Sequence, residues 1–551
     1  MSVSLSRNRQ FLLVVLVAFA LSVPWLGRPF HTRGEPREAL VAQSMLKTGN
    51  WISPPAYDGA VPSKPPFSHW LIAIASLPSG KVSETTARLP SALAFILFSA
   101  SFFLFAAHRT SAAVALASGL ILLSSSEWFR AASTCRVDTI LATSMAGALM
   151  AYFAWWERKC RGVPWIAIVL TICAALTKGP VGVVLPVGIF SLFCWLKSGL
   201  GVRQIVPIAG RALAVAVPVV LAVLLWYVLG YLQRGDEFIA KVRYENLDRF
   251  ASSMQDEPHK HSVVYLFGML GLGVLPWTVL VAWAAVRNRC WRAVSREAIA
   301  NRWRSLPDLY QFSLLAAGVI VLFFCIPASK RSVYLLPAYP FLALWIERGL
   351  RGGYERLVAA LSWIVIGGAS IATVFGVGLL LKPVLGVSLH ASSFMHSLTV
   401  LKLVSTVGIL TLCGLIFRQD GRSAVMSGIN TMALSMVAAV FIASFFVYDT
   451  VAGQLSEKEW LRSEEFLSRV DLSSTERMYS FGSESYGASF YLEKPFSRVT
   501  GPVPPKSLIF VEQRSLEQLR RVLGSDIREV SRYASDLEKP SRDIVVVTPV
   551  L

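Results

Sequence analysis

Apolar runs long enough to cross a bilayer recur from Phe11 to Val447, and no other feature constrains the fold of this chain so tightly. Only 16% of its 551 residues are charged and 54% are hydrophobic, giving a mean hydropathy of +0.54. A soluble protein carries about a quarter charged residues. The sequence therefore specifies a polytopic α-helical membrane protein.

The first run, Phe11 to Leu26, follows Arg7 and Arg9 and contains the small-x-small triplet Ala18-Phe19-Ala20. That triplet lies inside the apolar stretch, so the run reads as a retained first helix and not as a cleaved signal. The net charge of +19 has a simple account. Lys and Arg gather in short loops between spans, where they orient the chain and meet anionic headgroups. No soluble segment interleaves a basic stripe with aromatics, which argues against nucleic acid as a partner. The seven cysteines (Cys135, Cys160, Cys173, Cys194, Cys290, Cys325, Cys413) fall in or near spans or basic loops and form no CxxC pair. The expectation is no metal, no cofactor and no disulfide in the tail.

The basic loops mark the cytoplasmic side: the N-terminus, His108-Arg109, and residues 157–161, 197–203, 287–304, 347–356 and 418–422. Spans are expected near 11–27, 87–107, 112–127, 137–156, 163–177, 180–197, 207–231, 262–286, 308–327, 333–348, 356–382, 398–417 and 424–447. That makes about thirteen crossings under the positive-inside rule, with the N-terminus cytoplasmic. Outer loops 28–86 and 232–261 then share the extracytoplasmic face with the tail. Ser68 to Leu77 is too short to cross and reads as an interfacial helix. From about Thr450 short strand-like runs (Arg477–Phe481, Ser507–Val511, Ile544–Val547) alternate with a helix-like Leu516–Leu523. A membrane domain over 1–449 is thus expected to precede a small α/β domain over 450–551.

Charge in such a chain is most informative where it sits at the bilayer edge, because it is costly there without a polar ligand. The first outer loop carries Glu35, Arg37 and Glu38 at the start of a helical pattern, and Lys64 before two prolines. Glu38 fits ordinary helix-start chemistry; Glu35 fits it less well, since a cap prefers a shorter side chain. The prolines after Lys64 fix where its amine points, although a lysine snorkelling to headgroups is the plainer account. Asp138 lies at the outer mouth of a span beside Arg136, which could satisfy it. Lys178 tips a hairpin, and Lys330-Arg331 precede Tyr334; by parity both patches face outside, against the positive-inside trend. In the second outer loop Arg249, His259 and His261 flank the opening of a long span. Two histidines at i and i+2 do not share a helix face and no third ligand accompanies them. Several cations and a few carboxylates on one face beside hydrocarbon suit a phosphate whose lipid lies in the bilayer.

Taken in order, these segments resemble the aminoarabinose transferase and protein O-mannosyltransferase superfamily of GT-C membrane glycosyltransferases. The resemblance is carried by Gly34-Glu35-Pro36-Arg37-Glu38-Ala39, Thr48-Gly49-Asn50-Trp51, Lys64-Pro65-Pro66 with His69-Trp70, and Val137-Asp138. It continues through Thr177-Lys178-Gly179, Glu245 to Phe250, His259, Leu275-Pro276-Trp277 and Tyr334 to Pro340. It implies an undecaprenyl-phosphate-linked sugar donor, an extracytoplasmic site in the inner membrane, and inversion at the anomeric carbon. The acceptor would be a lipid A-like lipid or a glycan, and the enzyme a hexosyl or pentosyl transferase working as a monomer. Lys64 and Arg249 would bind the donor phosphate, with Lys178, His259 and Tyr334 also in the substrate site. Glu35 would be the catalytic carboxylate, Arg37 would organise the first loop, and Asp138 would orient Arg37 or Lys64.

Two positions depart from the family pattern. Gly34 stands where an acid usually opens the first loop, and Ser63 where aminoarabinose enzymes carry Glu before Lys-Pro. The alternatives are a transporter or flippase for a lipid-linked sugar and a non-catalytic binder of one. Transporters often show internal repeats and broken midplane helices. No convincing repeat is present, and the charges collect in outer loops.

Overall fold

The structure, a computed structural model, describes residues 6–62, 64–245, 261–287, 295–327, 329–350, 456–470, 472, 478–482, 484–504, 507–524, 526–533 and 543–549. Arg249, His259, the expected spans at 356–382, 398–417 and 424–447, and the boundary near 449 lie outside these residues.

In hydrocarbon the backbone must satisfy its own hydrogen bonds, and the membrane part is accordingly helical. Among the described residues five helices are long and apolar enough to cross, over residues 7–25, 84–109, 137–157, 202–234 and 308–325. They include α1 (Arg7–Ser22), α4 (Glu84–Arg109), α7 (Val137–Glu157) and α10 (Ile205–Arg234). A central core joins α1, α4 and α7 to α5 (Ala112–Ser124), filled by Phe95, Phe102, Phe103, Leu120, Met145 and Phe153. Ser83 starts α4 with a reciprocal capping box to Thr86, which fixes where this helix begins.

Two of the expected straight crossings are bent, and a third is not α-helical throughout. After α5 the chain turns by 73° into α6 (Ser126–Ala132). The stretch expected at 262–286 breaks by 105° between Val263–Gly273 and Trp277–Arg287, where Pro276 has no amide to offer a helix. The stretch expected at 333–348 begins as a 3-10 segment, Ser332–Ala338, and is α-helical only over Tyr339–Leu350. Hydropathy sums over a window and is blind to such bends.

The short apolar helices α8 (Trp165–Lys178) and α9 (Val181–Lys197) form a tight hairpin. A side chain at Gly182 would collide with the backbone of Ala174 and Ala175, so only glycine permits this close return. Two helices at one end of the bundle complete the frame of the site. These are α2 (Gly34–Thr48) and α3 (Phe67–Ser76), the latter covering the stretch expected to lie at the interface.

The C-terminal part carries a five-stranded sheet in the order β2-β1-β3-β5-β4. Its strands are β1 (Met478–Phe481), β2 (Phe496–Arg498), β3 (Leu508–Glu512), β4 (Ile527–Tyr533) and β5 (Ile544–Pro549). β1 pairs in parallel with β2 and β3, whereas β5 runs antiparallel to β3 and β4. The sheet sits on the first loop. Tyr57 Oη donates to Ser480 Oγ at 2.9 Å and accepts from the Ser485 amide at 3.3 Å. The Phe30 amide donates to Tyr491 Oη at 2.7 Å, and Arg33 and Glu512 pair at 2.5 Å.

Candidate functional site

The first loop is built around two buried carboxylates with different partners. Pro36 in the first turn and Gly49 at the left-handed C-cap (φ 69°) delimit α2. Glu35, 0% exposed, accepts from Arg88 Nε at 2.7 Å and from the Cys135 amide at 3.1 Å. The same guanidinium donates to the Leu26, Arg28 and Pro29 carbonyls, so it ties the chain entering α2 to α4. The other Glu35 oxygen lies 3.4 Å from Thr32 Oγ1 and 3.6 Å from His31 Nδ1. Both oxygens of Glu35, the carboxylate expected to be catalytic, are thus engaged inside protein, and Arg88 does most of the engaging. Burial alone would raise its carboxyl, but the Arg88 charge and hydrogen bond hold it below the ordinary value.

Glu38 is 4% exposed and bridges two elements. Its Oε1 accepts from Arg37 Nη2 at 2.5 Å, and its Oε2 lies 2.7 Å from Nε2 of His69 on α3. The helix-start account of Glu38 is therefore replaced by a tertiary one. Burial opposes its ionisation, yet Arg37 and His69 hold it well below the usual carboxylate range. The Glu38 charge in turn pushes the Arg37 guanidinium above its ordinary value.

Asn50 shapes the turn that leads from α2 toward Lys64. Its Oδ1 accepts from the Ile52 and Ser53 amides and its Nδ2 donates to the Ser53 carbonyl. Trp226 of α10 reaches the Ile52 carbonyl at 3.0 Å. Beyond this turn Lys64 Nζ meets Glu245 Oε2 at 3.1 Å, at the end of α11 (Asp236–Arg243), and both side chains are largely buried. Lys241 lies 3.7 Å from the same carboxylate. Arg37 also feels the Glu245 charge. One carboxylate thus occupies the focus of several cations, an arrangement that equally suits a phosphate.

A second cluster lies at the mouth of α7. Asp138 Oδ1 accepts from Lys178 Nζ at 2.7 Å, and its Oδ2 is 3.5 Å from Arg136 Nε. The Lys178 ammonium lies 4.2 Å from the centroid of the Tyr334 ring, a cation–π contact. Asp138, Lys178 and Tyr334, singled out separately in the sequence, therefore meet in space. The expected pairing of Asp138 with Arg37 or Lys64 is corrected: its partners are Lys178 and Arg136, which the α8 hairpin tip and the residue just before α7 bring closer. Among the described residues no group of three or more His, Cys, Asp or Glu is placed to hold a metal.

Sequence reasoning named Arg136 as a partner for Asp138 but missed Arg88, His69 and Glu245 as partners. Arg88 lies 53 residues beyond Glu35, and Glu245 lies 181 beyond Lys64, so local spacing carried no signal. A buried arginine inside an apolar span was the one available clue.

A sequence profile of the dolichyl-phosphate-mannose-protein mannosyltransferases matches residues 63–226. An uncharacterized protein of Aquifex aeolicus is 27% identical over 364 residues, which are 65% of this chain and 67% of that one. An undecaprenyl phosphate-alpha-4-amino-4-deoxy-L-arabinose arabinosyl transferase of Shewanella sediminis is 26% identical over 358 residues, 63% of this chain and 59% of that one. The match to that relative thus spans less than two thirds of its length. In three dimensions, ArnT of Cupriavidus metallidurans bound to undecaprenyl phosphate superposes with a TM-score of 0.67 at 21% identity, over 97% of both chains. That similarity establishes a shared GT-C fold. The profile match and the similarity to the arabinosyl transferase agree with the superfamily resemblance drawn from the ordered motifs, and the structural similarity agrees with its fold.

Proposed function

We propose that this chain, a member of the superfamily of aminoarabinose transferases and protein O-mannosyltransferases, transfers a sugar from a polyprenyl-phosphate donor to a lipid or glycan acceptor. The reaction takes place on the extracytoplasmic face of the inner membrane, where α2, α3 and the C-terminal sheet lie. The observation that carries this reading is the largely buried Lys64 ammonium facing Glu245 Oε2 at 3.1 Å with Arg37 nearby, beside apolar helices. A phosphate arriving on its lipid takes the place of the Glu245 carboxylate at these cations.

The chemistry follows from that exchange. The acceptor attacks the anomeric carbon on the side away from the phosphate, giving inversion through an oxocarbenium-like state. Charge grows on the leaving phosphate as the bond breaks, and Lys64 and Arg37, with Arg249 joining, stabilise it where it forms. Glu38 fixes Arg37 against α2 and α3, and Glu245 holds Lys64 before the donor arrives. Lys178 and Tyr334 form the neighbouring wall, with Asp138 orienting Lys178. Glu35 acts through Arg88 as a positioning residue that secures the chain entering α2. The sugar and the acceptor are chosen by groups beyond this frame.

The test is sugar transfer by the purified protein from radiolabelled polyprenyl-phosphate sugars to envelope lipids, with Lys64→Ala beside wild type. Transfer by wild type and its loss in the variant support the reading. Saturable donor binding with no transfer from any donor would overturn it in favour of a carrier or a non-catalytic binder.

A further inference from the structure

The cluster around Asp138 holds more positive charge than its own carboxylate accounts for. Lys178 takes one Asp138 oxygen at 2.7 Å, and Arg136 reaches the other only through Nε at 3.5 Å. The forked end of Arg136 points elsewhere. A Cβ built on Gly34 would meet Arg136 Nη1 at 3.0 Å and Cζ at 3.3 Å, so the guanidinium lies in the space that a side chain at position 34 would fill. Among the described residues the fork of Arg136 makes no hydrogen bond or further ion pair.

Arg331 adds a second guanidinium. It is half-buried, and among the described residues its side chain makes no hydrogen bond and no ion pair. Burial and then the charge of Arg136 push it below its ordinary value, while Asp138 and Tyr334 act in the opposite direction. Geometry puts it in the same cluster: the Ser332–Ala338 segment that it opens packs against α7, and Tyr334 on that segment covers the Lys178 ammonium that holds Asp138, two residues from Arg136. Like charges brought together away from bulk water are unfavourable unless an anion joins them. The backbone also contributes, because Arg136 caps α7 and the amides of its first turn face the same end.

We propose that Arg136 and Arg331 form a second anion-binding site, opened by the absence of a side chain at Gly34 and separate from the donor-phosphate position at Lys64. Its ligand is an oxyanion, a carboxylate or a phosphate. The site does not depend on the transferase reading; the identity of its natural ligand does, and that reading leaves two sources, a carboxylate on the transferred sugar or a phosphate on the acceptor. The same geometry disfavours a donor sugar bearing a protonated amine. An acid at position 34 would neutralise Arg136 and welcome a cation; glycine leaves the guanidinium to repel it.

The experiment reads each arginine separately. Full-length protein in detergent is treated with phenylglyoxal, and modification of Arg136 and Arg331 is followed by peptide mass spectrometry. Probes are inorganic phosphate, free hexuronate and the matching neutral hexose. Phosphate and hexuronate are expected to slow modification of both arginines by about tenfold when saturating, as a charge-assisted site implies, and the hexose not at all. Gly34→Asp should abolish protection of Arg136 by placing a carboxylate against it, and Arg331→Gln should weaken its protection. Equal modification with and without either anion would overturn the proposal.

Repeating the protection assay with polyprenyl-phosphate hexuronate, polyprenyl-phosphate hexose and a phosphorylated lipid acceptor separates the sources. Extra protection by the hexuronate donor assigns the site to the sugar, and protection only by the acceptor assigns it to the acceptor. Should free anions protect the arginines while sugarless polyprenyl phosphate fails to bind, the transferase reading falls and the anion site stands. Binding of polyprenyl phosphate without any protection of the arginines overturns the anion site and leaves the transferase reading in place.

Discussion

Lys178 and Asp138, forty positions apart, meet at 2.7 Å where the tip of the α8–α9 hairpin reaches the first turn of α7. Both side chains are largely shielded from water, and the Tyr334 ring lies over the ammonium at 4.2 Å. This pair links the hairpin to the central core beside the proposed donor site.

Because the pair is buried, removing one partner strands the other. Lys178→Ala or Asp138→Asn should each cost about 3–5 kcal/mol of stability. The double variant should cost less than the sum of the two. Thermal denaturation of all four proteins in one detergent checks this; additive losses would mean that the two residues do not interact.

Lys64→Ala should remove transfer while leaving expression intact, and Arg249→Ala should do the same. Glu245→Gln acts the other way. It frees Lys64 of a competing carboxylate, so the donor KM should fall by severalfold, about 1 kcal/mol. Steady-state kinetics at varied donor decides the matter, and near-wild-type activity in Lys64→Ala would refute the assignment.

Glu35→Gln should lower the melting temperature before it touches chemistry. The substitution leaves the buried Arg88 guanidinium without its counter-charge, a loss of about 3–5 kcal/mol. Transfer per folded molecule should stay close to wild type. A fully folded Glu35→Gln protein that no longer transfers sugar would restore Glu35 to the reacting centre.

Glu38 makes stability depend on acid in a definite direction. Its carboxyl lies below the ordinary value of about 4.3, so the folded state binds this proton less readily than the unfolded chain. The resulting stabilisation is complete above that value and is lost as pH falls through the depressed one. Glu38→Gln should flatten that part of the stability curve, measured by melting from about pH 6 down to pH 3.

Tyr57 fastens the C-terminal sheet to the first loop through Ser480 and the Ser485 amide. Tyr57→Phe keeps the ring packed on Tyr486, 5.0 Å away, and deletes only the hydroxyl. The expected loss is about 1–2 kcal/mol for two buried hydrogen bonds. It should show as faster proteolysis within residues 456–549 with the helices intact.

Much of the C-terminal sheet could be read in advance, and the exceptions are instructive. β1, β3 and β5 are apolar enough to announce themselves, and the helix Leu516–Leu523 falls where its pattern placed it. β4, Ile-Arg-Glu-Val-Ser-Arg-Tyr, went unseen because an edge strand can be charged along its length. β2 is three residues long and gives no period to detect.

The sequence by itself determined that this chain lives in a bilayer, where its charges gather, and which positions deserved attention. Hydropathy and loop charge add up along the chain, so they survive without knowledge of the fold. Only the tertiary structure decided who partners whom. It gave Glu35 to Arg88, Glu38 to His69, Lys64 to Glu245 and Asp138 to Lys178, and it bent two expected crossings. The reason is physical: a charge taken from water must find an opposite charge or a donor within about 4 Å, and packing, not spacing in the chain, sets which groups come that close.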